Sequence, residues 1–96
     1  MENNLALQLA TGTVILRERR KRRLTQQALA DQADLQRVYI VGIEGGKRSV
    51  SLATIFAIAQ AMSLPPAELV RKIQDEYAKK INALEKTHTM MHSIPS

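Results

Sequence analysis

Apolar residues in this chain recur at threes and fours and hardly ever alternate, so the pattern predicts helices throughout and an all-α domain. Leu5, Leu7, Leu9, Val14, Ile15 and Leu16 open a first helix over residues 5–21, interrupted at Gly12. Leu29, Ala30 and Ala33 give one short apolar face, and Leu35, Ile40 and Ile43 give another. Residues 25–44 therefore read as two short helices joined by a tight turn. Thr25 can cap the first of them, because its hydroxyl can accept from a free backbone N–H two or three residues on. Small Ala30 lets a second helix cross close by. Asp34 sits where the chain must turn sharply and tolerates left-handed angles, and Leu35 plugs the corner.

Gly45 and Gly46 stop the third helix, and Ser51 can cap a fourth over 51–62. Leu52, Ile55, Phe56, Ile58, Ala59 and Met62 make that helix apolar enough to serve both as core and as an interface. Pro66 suits the first turn of a fifth helix, expected over 66–86. Its stripe of Leu69, Val70, Ile73, Tyr77, Ile81 and Leu84 is longer than a small core needs. Homodimerisation would bury it, with docking on the chain's own body as the alternative. Residues 1–4 are expected to fray. THTMMHSIPS (87–96) has no period and is expected to form a flexible tail, leaving 1–86 as a single domain.

A short helix pair with a tight corner is the pattern of a helix-turn-helix, whose second helix enters the DNA major groove. Charge strengthens that picture. The 96 residues carry a net charge of +5, and nine Lys/Arg against four Asp/Glu lie between Arg17 and Arg48. The rest of the chain is balanced, so the whole excess sits in and beside the helix pair, where counterion release from phosphates favours it. RERRKRR (17–23) places six cations at the end of the first helix, with Arg20, Arg22 and Arg23 as candidate phosphate contacts.

Exposed positions near the start of a recognition helix meet base edges. Here those are Gln36, Arg37 and Val38, with Val41 one turn on. Arg37 is the strongest base reader, since a guanidinium can bond both O6 and N7 of guanine, while Val38 can meet a thymine methyl. Gln27 can assist at the phosphates, and Lys47, Arg48 and Ser49 form a loop that would lie along the DNA backbone. Tyr39 can reach a phosphate or pack beside the fourth helix. Glu44, repelled by phosphates, is expected to pair with Arg19 or cap backbone N–H groups.

Other chemistry finds little support. With no Cys there is no disulfide or thiolate site, and no carboxylate cluster or phosphate-cradling loop suggests an enzyme. His88 and His92 share a helical spacing but have no third ligand nearby, so neither a metal nor another cofactor is expected. No run of 18 apolar residues and no signal peptide appear, which predicts a soluble cytoplasmic protein, nucleoid-associated when bound.

The motifs T-Q-x-x-L-A, Y-I-x-x-I-E-x-G-K-R, S-L-x-T-I and A-x-A-M-S-L-P-P-A-E-L-V resemble the XRE/Cro/CI family of DNA-binding regulators over about residues 12–70. RVYIVGIEGGKRSVSLATI is most similar to the controller proteins of restriction–modification systems. The resemblance implies a compact five-helix, lambda-repressor-like fold with an extended C-terminal helix. It also implies phosphate contacts from Gln26 and Arg48, whereas the apolar surplus of the fourth and fifth helices points to a homodimer using Phe56, Leu69, Ile73, Tyr77, Ile81 and Leu84. The implied partner is a palindromic double-stranded DNA operator, with RNA polymerase a further candidate and no small-molecule ligand. The chain departs from the family where Glu18 or Arg19 replaces a core Leu, where Arg23 replaces a loop Gly, and where Val38 replaces Ser or Thr after the arginine. An antitoxin or phage repressor would share the pattern, and an interaction module without DNA binding would share the fold.

Overall fold

The computed structural model describes residues 3–93, with side chains over 4–86. Five helices follow one another: α1 (Asn3–Lys21), α2 (Gln26–Ala33), α3 (Arg37–Glu44), α4 (Leu52–Ala61) and α5 (Pro66–Ser93). There is no strand among the described residues. The expected caps form: Thr25 Oγ1 accepts from the Ala28 N–H at 2.9 Å, and Ser51 Oγ accepts from the Thr54 N–H at 3.1 Å.

Four helices end in the same way. A residue with positive φ reverses the chain, and the next residue donates its N–H to a carbonyl one turn back. The reversing residues are Arg23 (φ 56°), Asp34 (φ 57°), Gly46 (φ 72°) and Ser63 (φ 54°). The closing bonds run from Leu24 to Arg19 (3.2 Å), Leu35 to Ala30 (2.8 Å), Lys47 to Gly42 (2.9 Å) and Leu64 to Ala59 (2.8 Å). In three cases the residue after the reversal is a leucine, and each of these leucines joins or packs on the core. The corner expected at Asp34 and Leu35 is thus one instance of a device used throughout the chain.

The core is Val14 and Ile15 of α1, Leu29, Ala30 and Ala33 of α2, Ile40 and Ile43 of α3, Ile55, Ile58, Ala59 and Met62 along α4, and Leu64, Leu69 and Ile73. α1 packs on α3 and α5, α2 on α3 and α4, and α4 on α5. Gly12 does not interrupt α1. A Cβ there would stand 2.3 Å from the Ile43 carbonyl oxygen and 2.8 Å from that of Glu44, so the glycine is where α1 and the end of α3 touch backbone to backbone.

Two further expectations are corrected. Leu69 is fully buried within the chain itself and offers no surface to a partner, and Ile73, 6% exposed, shows only an edge in a surface cleft. α5 runs on through 87–93, past the point where its apolar period fades. The remaining tail residues (94–96), the side chains of His88 and His92, and residues 1–2 lie outside the described residues.

Candidate nucleic-acid interface

The interface is anchored by a buried ion pair. Arg19 closes on Glu44 with Nε to Oε2 at 2.6 Å and Nη2 to Oε1 at 2.9 Å, and Arg19 Nη1 donates to the Leu24 carbonyl at 2.8 Å. The hydrogen bonds to Glu44 raise the Arg19 pKa further above its ordinary value, against the opposing effect of burial. Gln26 Nε2 donates to the same Glu44 carboxylate at 3.0 Å. One carboxylate at the end of α3 therefore fixes both the end of α1 and the first residue of α2. An amide nitrogen carries two N–H groups, so Gln26 retains one for a phosphate.

A second buried carboxylate braces the other side. Burial would raise the pKa of Glu18, but hydrogen bonds from Arg22 and Lys21 and the charge of Lys72 overcome that and hold it below the usual value. Arg22 also donates to the Met62 carbonyl at 2.7 Å and to the Glu18 carbonyl at 2.9 Å. It is a structural tie between α1 and the end of α4, and its place among the phosphate contacts is withdrawn. Glu18 and Arg19, at one of which a core leucine was expected from the resemblance, are both buried and paired.

Between the end of α1 and the starts of α2 and α3 lies an open depression of about 620 Å³ lined by Arg19, Arg20, Thr25, Gln26, Gln27 and Arg37. It brings together Arg20, Gln26, Gln27 and Arg37 of the expected contacts, beside free N–H groups at the start of α2. Gln27 is steadied by a 2.8 Å bond to Asp31. Arg23 is exposed at the α1–α2 turn.

α3 presents the expected base-reading positions. Gln36 is its N-cap in extended backbone and makes no side-chain cap bond. Gln36 and Arg37 are exposed, and Val38 and Val41 are 64% and 43% exposed, although Ile40 and Ile43 on the opposite face are fully buried. At about 100° per residue, Val38, Val41 and Gly42 centre the outer face, with Arg37 on one flank and Tyr39 on the other.

Of the two fates open to Tyr39, packing is the one realised. Its ring rests on the core and its hydroxyl donates to the Ser49 carbonyl at 3.4 Å. Lys47, Arg48 and Ser49 are exposed in the loop after α3, and Ser49 Oγ accepts from Gln8 of α1 at 2.9 Å. The link from Glu44 to Gln26 was not anticipated from sequence.

Beside the loop after α3, a cleft of about 370 Å³ is lined by Leu7, Val50, Ile55, Val70 and Ile73 together with Asn4, Gln8, Thr11, Arg48 and Ser49. Leu7, Leu52, Phe56 and Val70 are each more than 40% exposed. Among the expected interface residues, Phe56 and Leu84 are exposed and Tyr77 and Ile81 half-buried. No group of three His, Cys, Asp or Glu able to hold a metal occurs among the described residues. No single described helix is long and apolar enough to cross a membrane.

The helix-turn-helix family model HTH_3 matches residues 15–69. The control protein C.MunI of Mycoplasma sp is 40% identical over 53 residues, which are 55% of this chain and 72% of that protein. The crystal structure of the restriction–modification controller protein C.AhdI from Aeromonas hydrophila superposes with a TM-score of 0.63 at 35% identity, covering 65% of this chain and 94% of that one. The controller protein C.Esp1396I, solved as a tetramer with its natural 35-base-pair operator, gives a TM-score of 0.69 at 25% identity, covering 75% of this chain and 95% of that one. The chain belongs to the HTH_3 helix-turn-helix family, and within it resembles the restriction–modification controller proteins.

Proposed function

We propose that this chain is a sequence-specific double-stranded DNA-binding transcriptional regulator that acts as a homodimer on a palindromic operator and controls its own operon. One observation carries the reading. Arg20, Gln26 and Arg37 converge on one open depression at the starts of α2 and α3, next to the exposed Val38 and Val41. Arg20, Gln26, Lys47 and Arg48 hold phosphates, Arg37 reads guanine, and the two valines meet thymine methyls. The operon and its autoregulation are inferred from the likeness to C.MunI and C.AhdI, and operator binding by an oligomer from C.Esp1396I.

The dimer face we assign is Leu52 and Phe56 of α4 with Val70 and Leu7 at the cleft, in place of the buried Leu69 and Ile73. Two recognition helices related by a twofold axis would enter major grooves about 34 Å apart. Regulation follows from occupancy, by blocking RNA polymerase or by touching it, and no catalytic step or cofactor is assigned. The setting is the cytoplasm. Selection of duplexes from a randomised library tests this. An inverted repeat with half-sites about one helical turn apart is expected, and recovery of single, unrepeated sites contradicts the dimeric reading.

A further inference from the structure

Glycine is the residue least favourable to a helix interior apart from proline, yet Gly42 stands inside the recognition helix. The space it leaves is used. A Cβ at position 42 would lie 2.8 Å from Arg48 Cγ and 3.4 Å from Arg48 Nε, so the stem of Arg48 is laid across α3 in the gap the glycine provides. The far end of that side chain is held as well, with the guanidinium carbon 5.7 Å from the centroid of the Tyr39 ring. Tyr39 in turn bonds the Ser49 carbonyl, and the Lys47 N–H closes on the Gly42 carbonyl at 2.9 Å. Both ends of the three-residue segment from Lys47 to Ser49 are therefore tied to α3.

We propose that Gly42 and Tyr39 are positioning residues for Arg48, which they fasten to α3 as a second cation flanking the valine strip opposite Arg37. The proposal deepens the DNA-binding reading above and rests on it. An arginine free in a loop must be ordered when it meets a phosphate or base, whereas one already laid along the helix arrives with that cost largely met. Position 42 then governs affinity through where it places Arg48. Alanine there favours the helix, so the fold is kept while the Arg48 stem is displaced.

The test compares wild type, Gly42→Ala, Arg48→Ala and the double variant on the duplex that wild type selects from a randomised library. Arg48→Ala is expected to weaken binding roughly tenfold, as for the loss of one charge-assisted contact. Gly42→Ala should reproduce most of that loss, and the double variant should bind within about twofold of Arg48→Ala, because the two changes remove one contact. In the free protein, proton resonances of the Arg48 side chain should be shifted upfield by the Tyr39 ring in wild type and return toward ordinary positions in Gly42→Ala. Additive losses, wild-type affinity in Gly42→Ala, or an unchanged ring shift would overturn the proposal. If wild type binds no duplex at low salt, the DNA-binding reading fails instead, and the ring shift still decides whether Gly42 places Arg48.

Discussion

Replacing Glu44 by Ala would leave the Arg19 guanidinium buried without its partner. The two side chains are 10% and 5% exposed, so water screens the pair poorly. Glu44 accepts two bonds from Arg19 and one from Gln26, and no other carboxylate among the described residues bonds Arg19. Breaking a buried pair from one side costs about 3–5 kcal/mol, because the remaining charge stays desolvated. Against a total stability of roughly 5–15 kcal/mol for a domain, the variant would stay folded over most of that range and become marginal only near its lower end. Urea unfolding followed by circular dichroism reads the effect. With an m-value near 1.5 kcal/mol per molar urea, the midpoint should fall by roughly 2–3 M. The double change Arg19→Met with Glu44→Leu should recover most of the loss, since apolar replacement of a buried pair is often close to neutral. A midpoint shift below about 0.5 M for Glu44→Ala would refute the reasoning, because it would mean the pair is hydrated and contributes as little as a surface pair.

Three other outcomes are expected. Gly12→Ala should destabilise by about 1–3 kcal/mol despite alanine's better helix propensity, because the new methyl meets backbone carbonyls of α3 that cannot move aside; thermal melting checks this. Glu18 is held low by Arg22, Lys21 and Lys72 against burial, and Glu76 by its bond from Arg17 at 2.9 Å, so both are depressed relative to the unfolded chain. Their contribution is therefore fully present above about pH 4.5 and is lost as pH falls through the folded values; urea midpoints measured down an acid series should drop there, and less steeply in Glu18→Gln. Phe56→Asp, at a 46% exposed site, should leave the fold intact and shift sedimentation from dimer to monomer, and an unchanged dimer would move the interface elsewhere.

Much of this was legible in the sequence where one physical rule decides one position. Helical spacing located Leu29, Ala33, Ile40 and Ile43, hydroxyls marked the caps at Thr25 and Ser51, and left-handed tolerance marked Asp34. Spacing failed where it says only that a face is apolar. Leu69 and Val70 belong to the same stripe, yet one is fully buried and the other 44% exposed, and only the packing of α1 and α4 on α5 separates them. Charge failed similarly among the arginines of α1. Arg19 meets Glu44 as expected, but charge alone could not separate Arg20, which faces the depression, from Arg22, which is bound to the Met62 carbonyl by a turn closed far along the chain. Gly12 and Gly42 were read as local punctuation or passed over, but each marks a close approach by a distant segment, which no local rule reveals.

The central claim is that the excess charge serves phosphates while Arg37 reads sequence. Binding to duplex DNA from upstream of the protein's own gene, measured across a salt series for wild type and Arg37→Ala, tests it most directly. Wild type should prefer one palindromic fragment, with affinity falling steeply as salt rises. Arg37→Ala should lose about 1–3 kcal/mol of discrimination while keeping most of its affinity for unrelated duplex. If wild type binds no duplex at low salt, or if Arg37→Ala weakens every sequence equally and keeps its preference, the account is contradicted.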